Sequence, residues 1–242
     1  MSYTVEAKNI VKKYGRKTVL DDVSFQIKPG TIVGLASPNG SGKTTIIKLI
    51  ADFLTLDGGE LTVDGQKVGP ETKALISYLP DHDLFSGEDK ISMAVKFYSY
   101  YHKDFNEKKC RKYLKIFKLD EKAKINSLSK GMREILMLIL TLSRDAKLYL
   151  LDEPLASVDP VNREAIVVTI LKEFKEDASV IISTHLLNDV EPILDEVIMI
   201  KDNKLFCHKS VEEIREETGK SLNDFFKDSF RIDWFGGDKN EQ

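Results

Sequence analysis

The sequence is poor in the residues that mark disulfide-rich, secreted or membrane-spanning chains. Its two cysteines, Cys110 and Cys207, lie far apart and lack the spacing of metal ligands, which fits a reducing cytosol. The longest apolar stretch, residues 135–142, is far shorter than the ~20 residues that cross a bilayer as a helix. The first residues lack the apolar centre of a secretion signal. If the protein serves a membrane, we therefore expect it to act as a peripheral subunit.

A strong excess of charge of either sign is also absent. The 242 residues carry a net charge of −3, with 31% charged and 42% hydrophobic residues, which is an ordinary balance for a folded globular chain. Binding to nucleic acid generally needs a concentrated basic face, so no nucleic acid partner is expected. The length is sufficient for one large domain, 1–242, with a substantial core.

Short apolar runs of strand type alternate with segments of helical spacing along much of the chain. Strands are predicted at 31–36, 148–151, 180–183 and 197–200, with helical segments between them. This alternation predicts an α/β fold with a mainly parallel sheet that is covered on both faces. The first thirty residues are predicted to form further short strands joined by turns.

The pattern divides the chain into three parts. Residues 1–80 and 146–208 are predicted to form the core with its β subdomain, and residues 82–145 form a helical subdomain inserted into it. Residues 209–242 are predicted to form a charged helical tail, and its end, 236–242, is expected to fray.

A glycine-rich segment follows the apolar strand and opens a helix, which is the setting of a phosphate-binding loop. Its small residues let backbone N–H groups converge on phosphate oxygens, and the helix N-terminus favours an anion. Lys43 supplies a point charge to the outer phosphates, and the Thr44 hydroxyl can bind Mg²⁺. The alternative is an exposed turn that contains Gly-Lys-Thr by chance. The predicted nucleotide-binding residues of this segment are Ser37, Asn39, Gly40, Ser41, Gly42, Lys43, Thr44 and Thr45.

Ser37 departs from the usual pattern of such loops, which begins with glycine. Serine can make the same turn if its φ angle stays negative, because only a positive φ strongly favours glycine. We therefore expect the loop to keep its function if Ser37 has a negative φ.

Two adjacent carboxylates, Asp152 and Glu153, end the apolar strand 148–151. Burying charge is costly unless it is paired or lies near a metal, and ligands gather at the carboxyl ends of strands in open α/β sheets. Asp152 is therefore predicted to hold Mg²⁺ through water, and Glu153 to activate the attacking water as a general base. The alternative is a strand that leaves the core into a solvated acidic turn.

Two further polar residues follow the predicted strands. His185 ends the run 180–185 at the same sheet edge, so we predict that it contacts the γ-phosphate, although a lone histidine is more often structural. Asp159 lies in the turn after the carboxylates and can simply cap the helix that begins near residue 161.

Together these residues resemble those of the ATP-binding cassette (ABC) ATPases over nearly the whole chain. The segment 128–132, Leu-Ser-Lys-Gly-Met, is similar to the family signature and keeps Ser129 and Gly131. The resemblance implies a P-loop NTPase core with an N-terminal antiparallel β subdomain and an inserted helical subdomain. It also implies a head-to-tail dimer in which Ser129 and Gly131 meet ATP bound by the second subunit, with Asp159 in the turn that crosses the interface. The alternative for 128–132 is an ordinary helix cap by Ser129.

The resemblance assigns two more residues to the nucleotide site. Tyr14 matches the aromatic residue that stacks on adenine, although it can equally be a tyrosine at a strand edge. Asp81 stands where the family usually carries glutamine. Its oxygens can still bind Mg²⁺ or water, but aspartate is shorter and charged and donates no hydrogen bond. The role of this position in sensing the γ-phosphate is therefore open.

Two segments of the helical insert have more than one interpretation. The aromatic run 97–101 either packs into the core of the insert, which we favour, or forms part of a groove that receives a permease helix. The lysines between 108 and 124 are most simply a solvated helical face.

The resemblance implies an ATP-hydrolysing subunit that works on the cytoplasmic face of the cell membrane. It would dimerise with a second copy or a paralogue and power separate permease subunits, with ATP and Mg²⁺ as cofactors. The Ser-Lys-Gly-Met signature is similar to that of exporter-type ABC ATPases for drugs, peptides and lantibiotics. Two alternatives remain: an ABC ATPase that acts on ribosomes or nucleic acid, and the regulatory half of a heterodimer.

Overall fold

The computed structural model describes residues 3–82, 84–85, 88–173 and 177–231, and for 171–173 it describes the backbone only. The strands are β1 Val5–Tyr14, β2 Lys17–Ile27, β3 Ile32–Ala36, β4 Gly58–Val63, β5 Gln66–Lys67, β6 Ile76–Leu79, β7 Leu148–Asp152, β8 Ser179–Ser183, β9 Glu196–Lys201 and β10 Lys204–Ser210. They form an antiparallel sheet in the order β2-β1-β4-β5 and a second sheet in the order β10-β9-β3-β8-β7-β6. The helices are α1 Lys43–Ile50, α2 Ile91–Tyr101, α3 Glu107–Ile116, α4 Lys130–Leu142, α5 Pro160–Glu173, α6 Leu187–Val190, α7 Val211–Thr218 and α8 Leu222–Ser229.

The second sheet is parallel from β9 to β6, and both of its faces are covered. Alternate side chains of β7 enter two different cores: Leu148 and Leu150 pack toward α1 and the antiparallel sheet, and Tyr149 and Leu151 pack toward the helices of the other face. A strand buried on both sides must be apolar along its whole length. This explains the unbroken apolar runs and confirms the predicted α/β class.

The helices α2, α3 and α4 lie between β6 and β7 in the chain. Asn106 caps α3 by accepting a hydrogen bond from the Lys109 N–H group, 2.9 Å away. Arg144, just after α4, ties this region to the parallel sheet because its guanidinium group bonds the Ile76 carbonyl at 2.5 Å. The same group pairs with the carboxylate of Asp104 at 3.0 Å. The insert is therefore anchored where α4 returns to the core.

The region after residue 200 differs from the prediction in one respect. The structure has an antiparallel edge strand, β10, where none was predicted, and α7 begins only at Val211. Helix α7 starts with a capping box, in which Ser210 and Glu213 bond each other's backbone N–H groups. The helix that begins near residue 161 was predicted to end at residue 175, which lies outside the described residues, as does the fraying predicted for 236–242.

Candidate functional site

The parallel sheet brings the carboxyl ends of four strands to one edge. Ser183 of β8 lies beside Asp152 of β7 and beside Leu35 of β3, and Leu79 of β6 pairs with Leu151 of β7. Loops that leave these strands must therefore meet at the same edge. Asp152 ends β7, and the glycine-rich loop, Glu153, His185 and Asp81 belong to those loops.

The glycine-rich loop turns sharply into α1. Gly40 and Gly42 have φ angles of 81° and 104°, which L-residues with side chains rarely adopt. A Cβ atom on Gly42 would also lie 3.1 Å from side-chain atoms of Val19 and Leu20. Gly42 is the N-cap of α1, and within the described part of the chain no side chain caps its first turn. The uncapped N–H groups of that turn are suited to an anion.

Lys43 is buried and folds back over the loop. Its Nζ atom donates to the carbonyl oxygen of Ser37 at 2.6 Å and to that of Pro38 at 3.4 Å. Burial lowers the pKa of Lys43, and the nearby carboxylates of Glu153 and Asp152 oppose this effect. An ammonium group held in this way lies within the turn that would receive phosphate oxygens.

The structure gives a reason for serine at position 37. Ser37 is buried, and its φ angle is not among the positive ones. Its hydroxyl accepts a hydrogen bond from the Ile200 N–H group of β9 at 2.7 Å and donates to the carbonyl of Ala36. The side chain therefore connects the start of the loop to the neighbouring strand, a contact that glycine could not make.

Asp152 is buried and has only one of its two oxygens engaged. Its Oδ1 atom accepts hydrogen bonds from the hydroxyls of Ser183 and, at 3.3 Å, Thr44. Its Oδ2 atom is buried and has no partner in the described structure. Burial raises the pKa of Asp152, although the two hydroxyls oppose this, and the charge of Asp81 adds to it. A buried carboxylate oxygen without a partner is costly unless another ligand satisfies it.

These donors fit a magnesium ion. Mg²⁺ is usually held by one or two carboxylates together with substrate phosphates and waters. Thr44 and Asp152 present oxygens beside the loop, and Asp81 faces the same cavity as Asp152. The described residues contain no cluster of three His, Cys, Asp or Glu side chains that could hold a metal alone. Phosphate oxygens would therefore have to complete the coordination.

Glu153 and His185 form a pair at the end of β7 and β8. The Nδ1 atom of His185 lies 2.8 Å from Oε2 of Glu153. The backbone of Glu153 has a φ angle of 52°, which is uncommon for a residue with a side chain. Its N–H group is held by the carbonyl of Ser183 at 3.0 Å. This conformation fixes the direction in which the Glu153 carboxylate leaves the strand.

Asp81 shares a cavity of about 240 Å³ with Asp152 and Glu153. Its carboxylate is about half exposed and lies 3.0 Å from Nδ1 of His82. Lys130 and other residues of α4 form the opposite wall of this cavity. Asp81, which stands where the family usually has glutamine, thus faces the carboxylate pair. A residue that binds the metal or the attacking water must lie at this side of the site.

The signature segment packs on the loop that follows the carboxylates. Ser129 caps α4 by accepting a hydrogen bond from the Met132 N–H group at 3.2 Å. A Cβ atom on Gly131 would lie only 2.7 Å from the carbonyl oxygen of Ser157. Asp159 caps α5 through the Asn162 N–H group at 3.1 Å. Both capping roles foreseen as alternatives are therefore present in the structure.

Tyr14 lies beside the start of α1. Its hydroxyl is 3.5 Å from that of Thr45, and 48% of the residue is exposed. The Nζ atom of Lys12 lies 5.7 Å from the ring centroid. The exposed ring leaves room for a planar ligand group next to the loop.

Two residues of the site were not predicted. Ser183 bonds Asp152 through its hydroxyl and Glu153 through its carbonyl, and Glu134 of α4 accepts a hydrogen bond from the Ser157 N–H group at 2.8 Å. Ser183 is a polar residue at the end of an apolar strand, a signal that could have identified it. The sequence contains no comparable signal for Glu134, because its contact depends on how α4 packs.

A large groove lies next to the site, between the core and α2. It has a volume of about 920 Å³ and is lined by Phe53, Tyr78, Leu84, Phe85 and Phe97 among others. In the aromatic run 97–101 only Tyr98 is buried in the core of the insert, and Phe97, Tyr100 and Tyr101 are exposed. The favoured interpretation of this run is therefore wrong for three of its four aromatic residues.

Comparison with known proteins identifies the family. Residues 20–156 match the ABC transporter family, and the chain belongs to it. It is 30% identical over 216 residues to the ABC transporter ATP-binding protein YtrB of Bacillus subtilis, covering 88% of this chain and 74% of that protein. It is also 30% identical over 212 residues to the linearmycin resistance ATP-binding protein LnrL of the same organism, covering 84% and 68%. The chain is thus an ATP-binding domain of the ABC transporter type.

Solved structures agree with this fold. A chain described as the ATP-binding subunit of an ABC transporter superposes with a TM-score of 0.84, at 24% identity, over 93% of this chain and 98% of that one. A nucleotide-free ATP-binding cassette from an ABC transporter gives a TM-score of 0.76 at 22% identity. None of the helices in the described ranges has the length and apolar character needed to cross a membrane.

Proposed function

We propose that this chain hydrolyses ATP and uses the energy to power a separate membrane permease that exports a drug, peptide or lipid-like substrate. The observation that carries the proposal is the convergence of Lys43, Thr44, Asp152 and Glu153 on one edge of the parallel sheet. Phosphoryl transfer to water requires groups that bind the phosphates, hold the metal and position the water. The loop, the buried carboxylate with one unsatisfied oxygen and the carboxylate paired with histidine supply these three groups.

The loop 37–44 and Tyr14 bind the nucleotide in this proposal. The backbone N–H groups of the loop and of the first turn of α1 receive the phosphates, and Ser37, Asn39, Gly40, Ser41 and Gly42 shape that turn. Lys43 exchanges its present bonds to Ser37 and Pro38 for the outer phosphates. The exposed ring of Tyr14 stacks on adenine, and the Tyr14 hydroxyl lies 3.5 Å from that of Thr45.

Thr44, Asp152 and Asp81 would hold the magnesium ion. When bound, Mg²⁺ neutralises charge on the phosphates. Glu153 accepts the proton of the attacking water, because its carboxylate leaves β7 at the same edge as the loop. His185 contacts the Glu153 carboxylate at 2.8 Å, and in this proposal it also contacts the γ-phosphate.

We further propose that two subunits close head to tail around two ATP molecules. Ser129 and Gly131 open α4, and the N-terminus of a helix favours an anion, here the nucleotide of the facing subunit. Asp159 lies in the turn that would cross the interface. The partner is a second copy or a paralogue, and the helical subdomain 82–145 moves with its signature during closure.

The groove beside α2 is the proposed contact with the permease, on the cytoplasmic face of the membrane. Its apolar lining, including Phe53 and Leu84, is accessible, with 61% and 50% of these residues exposed. Large exposed apolar surfaces of this kind mark interaction sites. The export direction is supported by the Ser-Lys-Gly-Met signature and by the name of the linearmycin resistance relative.

The test is to purify the tagged chain from membranes of its native cell and identify the proteins that accompany it. A multi-span membrane protein is expected with the wild type and should be lost with Phe53→Asp. Val168→Asp, which places the same charge at an exposed position on α5, should retain it. Recovery of ribosomes or nucleic acid in place of a membrane protein would overturn the transport proposal and leave the ATPase chemistry intact.

A further inference from the structure

The helical insert carries a local excess of positive charge. Residues 96–124 contain ten Lys and Arg against four Asp and Glu, although the whole chain has a net charge of −3. Two of the acidic residues, Glu107 and Glu121, pair with the same arginine, Arg111, at 2.6 and 2.5 Å. A third, Asp104, pairs with Arg144 from outside the segment. The segment 96–124 therefore has a formal net charge of +6, ten basic residues minus four acidic ones.

Much of this charge lies on one exposed face of α3. The opposite face of the helix, with Cys110, Tyr113 and Leu114, is buried in the insert. The exposed face contains a shallow open depression of about 610 Å³. Four of the residues that line it are basic, namely Lys108, Arg111, Lys112 and Lys115.

Exposed aromatic rings adjoin the basic face. Tyr100 and Tyr101 of α2 are 81% and 63% exposed, and their ring centroids are 5.0 Å apart. The two helices meet at this surface, where the Ser99 hydroxyl donates to the Glu107 carboxylate at 3.4 Å. Tyrosine rings prefer an interface that is apolar on one side and polar on the other. Two neighbouring tyrosines with exposed rings beside several lysines therefore suit such an interface better than bulk water.

We propose that this surface binds the anionic phospholipid headgroups of a membrane. We define the basic–aromatic surface by the residues Lys96, Tyr100, Tyr101, Lys108, Arg111, Lys112 and Lys115. Lysines near an anionic bilayer each attract phosphate headgroups, and tyrosines are enriched at the membrane–water interface. The basic–aromatic surface thus supplies both components of an interfacial contact.

The position of the surface supports a membrane rather than a soluble polyanion. Phe97 lines the groove beside Phe85, at 5.7 Å between ring centroids, and its ring is also 4.6 Å from that of Tyr101. If the groove receives a membrane permease, the adjoining surface faces the same bilayer. This orientation rests on the proposed function, whereas lipid binding itself does not.

The experiment is flotation of the full chain with vesicles of phosphatidylcholine, alone or mixed with phosphatidylglycerol. We expect binding only to the anionic vesicles, and weaker binding at high salt. Changing Lys108, Lys112 and Lys115 together to Gln should reduce binding by about fivefold per lysine, on the order of a hundredfold in all. Tyr100→Ser should reduce it further by removing the interfacial ring.

The matched control changes three exposed lysines elsewhere, Lys17, Lys67 and Lys204, to Gln. It alters the net charge equally and should retain vesicle binding. Basal ATPase activity reports folding in both triple variants and should match the wild type. Equal losses in the two triple variants, or binding of duplex RNA but not of anionic vesicles through the same lysines, would overturn the proposal. Because no permease is present, failure here is distinct from failure of the co-purification test.

Discussion

His185 and Glu153 face each other across two neighbouring strands, with Nδ1 and Oε2 separated by 2.8 Å. The pairing depends on β7 and β8 being adjacent in the sheet and on the positive φ angle of Glu153. A backbone conformation of this kind costs on the order of 1–3 kcal/mol and persists only where the surroundings impose it. It occurs here at the residue that we assign to proton transfer.

The first prediction concerns this carboxylate. Glu153→Gln should slow ATP hydrolysis by ~10²–10⁴-fold, the range typical of a positioned general base. ATP should still bind, because the loop and Lys43 are unchanged. Single-turnover hydrolysis and equilibrium nucleotide binding measure the two effects separately. Wild-type turnover in this variant, with the partner subunits present, would contradict the assignment.

The second prediction concerns the buried charge of Asp152. Its pKa is raised by burial, so at neutral pH the ionised carboxylate destabilises the metal-free fold. Asp152→Asn should therefore raise the Tm without Mg²⁺, and should abolish the stabilisation that Mg²⁺ and ATP give together. Each kcal/mol gained corresponds to roughly 2–4 °C for a domain of about this size.

The pH dependence of this effect has a definite sign. Lowering the pH through the raised pKa protonates Asp152 in the folded wild type and removes the cost, so the Tm difference between the two proteins should shrink in acid. An exposed carboxylate, as in Asp21→Asn, should give almost no difference at either pH. A Tm difference between the two proteins that widens in acid would show that the pKa of Asp152 is not raised in the folded protein.

Ser37 gives the third prediction. Ser37→Ala leaves the buried Ile200 N–H group without an acceptor, which should lower the free energy of unfolding by about 1–3 kcal/mol. Ser41→Ala should cost less, because its hydroxyl is near the surface and water can replace it. Chemical denaturation with and without ATP measures both variants. Equal losses would mean that the bond to β9 has no special role.

The edge of the parallel sheet could be predicted from the sequence only in part. Strands β3, β7 and β8 could be predicted because burial on both faces demands unbroken apolar runs, and the polar residues that follow them mark one edge. The bond between Ser37 and Ile200 could not be predicted, since it joins residues 163 positions apart. Strand β10 was missed because its residues are mostly half-exposed and carry only a weak apolar pattern.

The burial of individual residues in the aromatic run of α2 could not be predicted either. Periodicity assigns it to a helix but does not specify how wide the buried face is. Tyr98 is buried, whereas Tyr100 is largely exposed, because the insert covers only one side of α2. Which aromatic residues are core and which are surface therefore depends on the packing of neighbouring helices.

The fourth prediction concerns adenine. Tyr14→Ala should weaken ATP binding by an amount equivalent to about 1–3 kcal/mol, the value of stacking a base on an aromatic ring in nucleic-acid binders. Tyr14→Phe should retain the affinity, because the hydroxyl makes only a long contact of 3.5 Å with Thr45. Fluorescent ATP displacement gives both values. If the Phe variant also loses affinity, the hydroxyl rather than the ring face is the binding element.

The last prediction concerns the close approach of Gly131 to the loop after the carboxylates. In Gly131→Ala the new methyl group would lie 2.7 Å from the Ser157 carbonyl, so the backbone of α4 or of that loop must move. This movement displaces the signature relative to Asp159, which would impair closure of two subunits around ATP. Binding of ATP by the single subunit should be retained, because the phosphate loop is not involved.

ATP-dependent dimerisation in a Glu153→Gln background should be lost with Gly131→Ala and kept with Lys130→Ala, an exposed neighbour on the same turn. Dimers that form equally well in both variants would place the signature outside the interface.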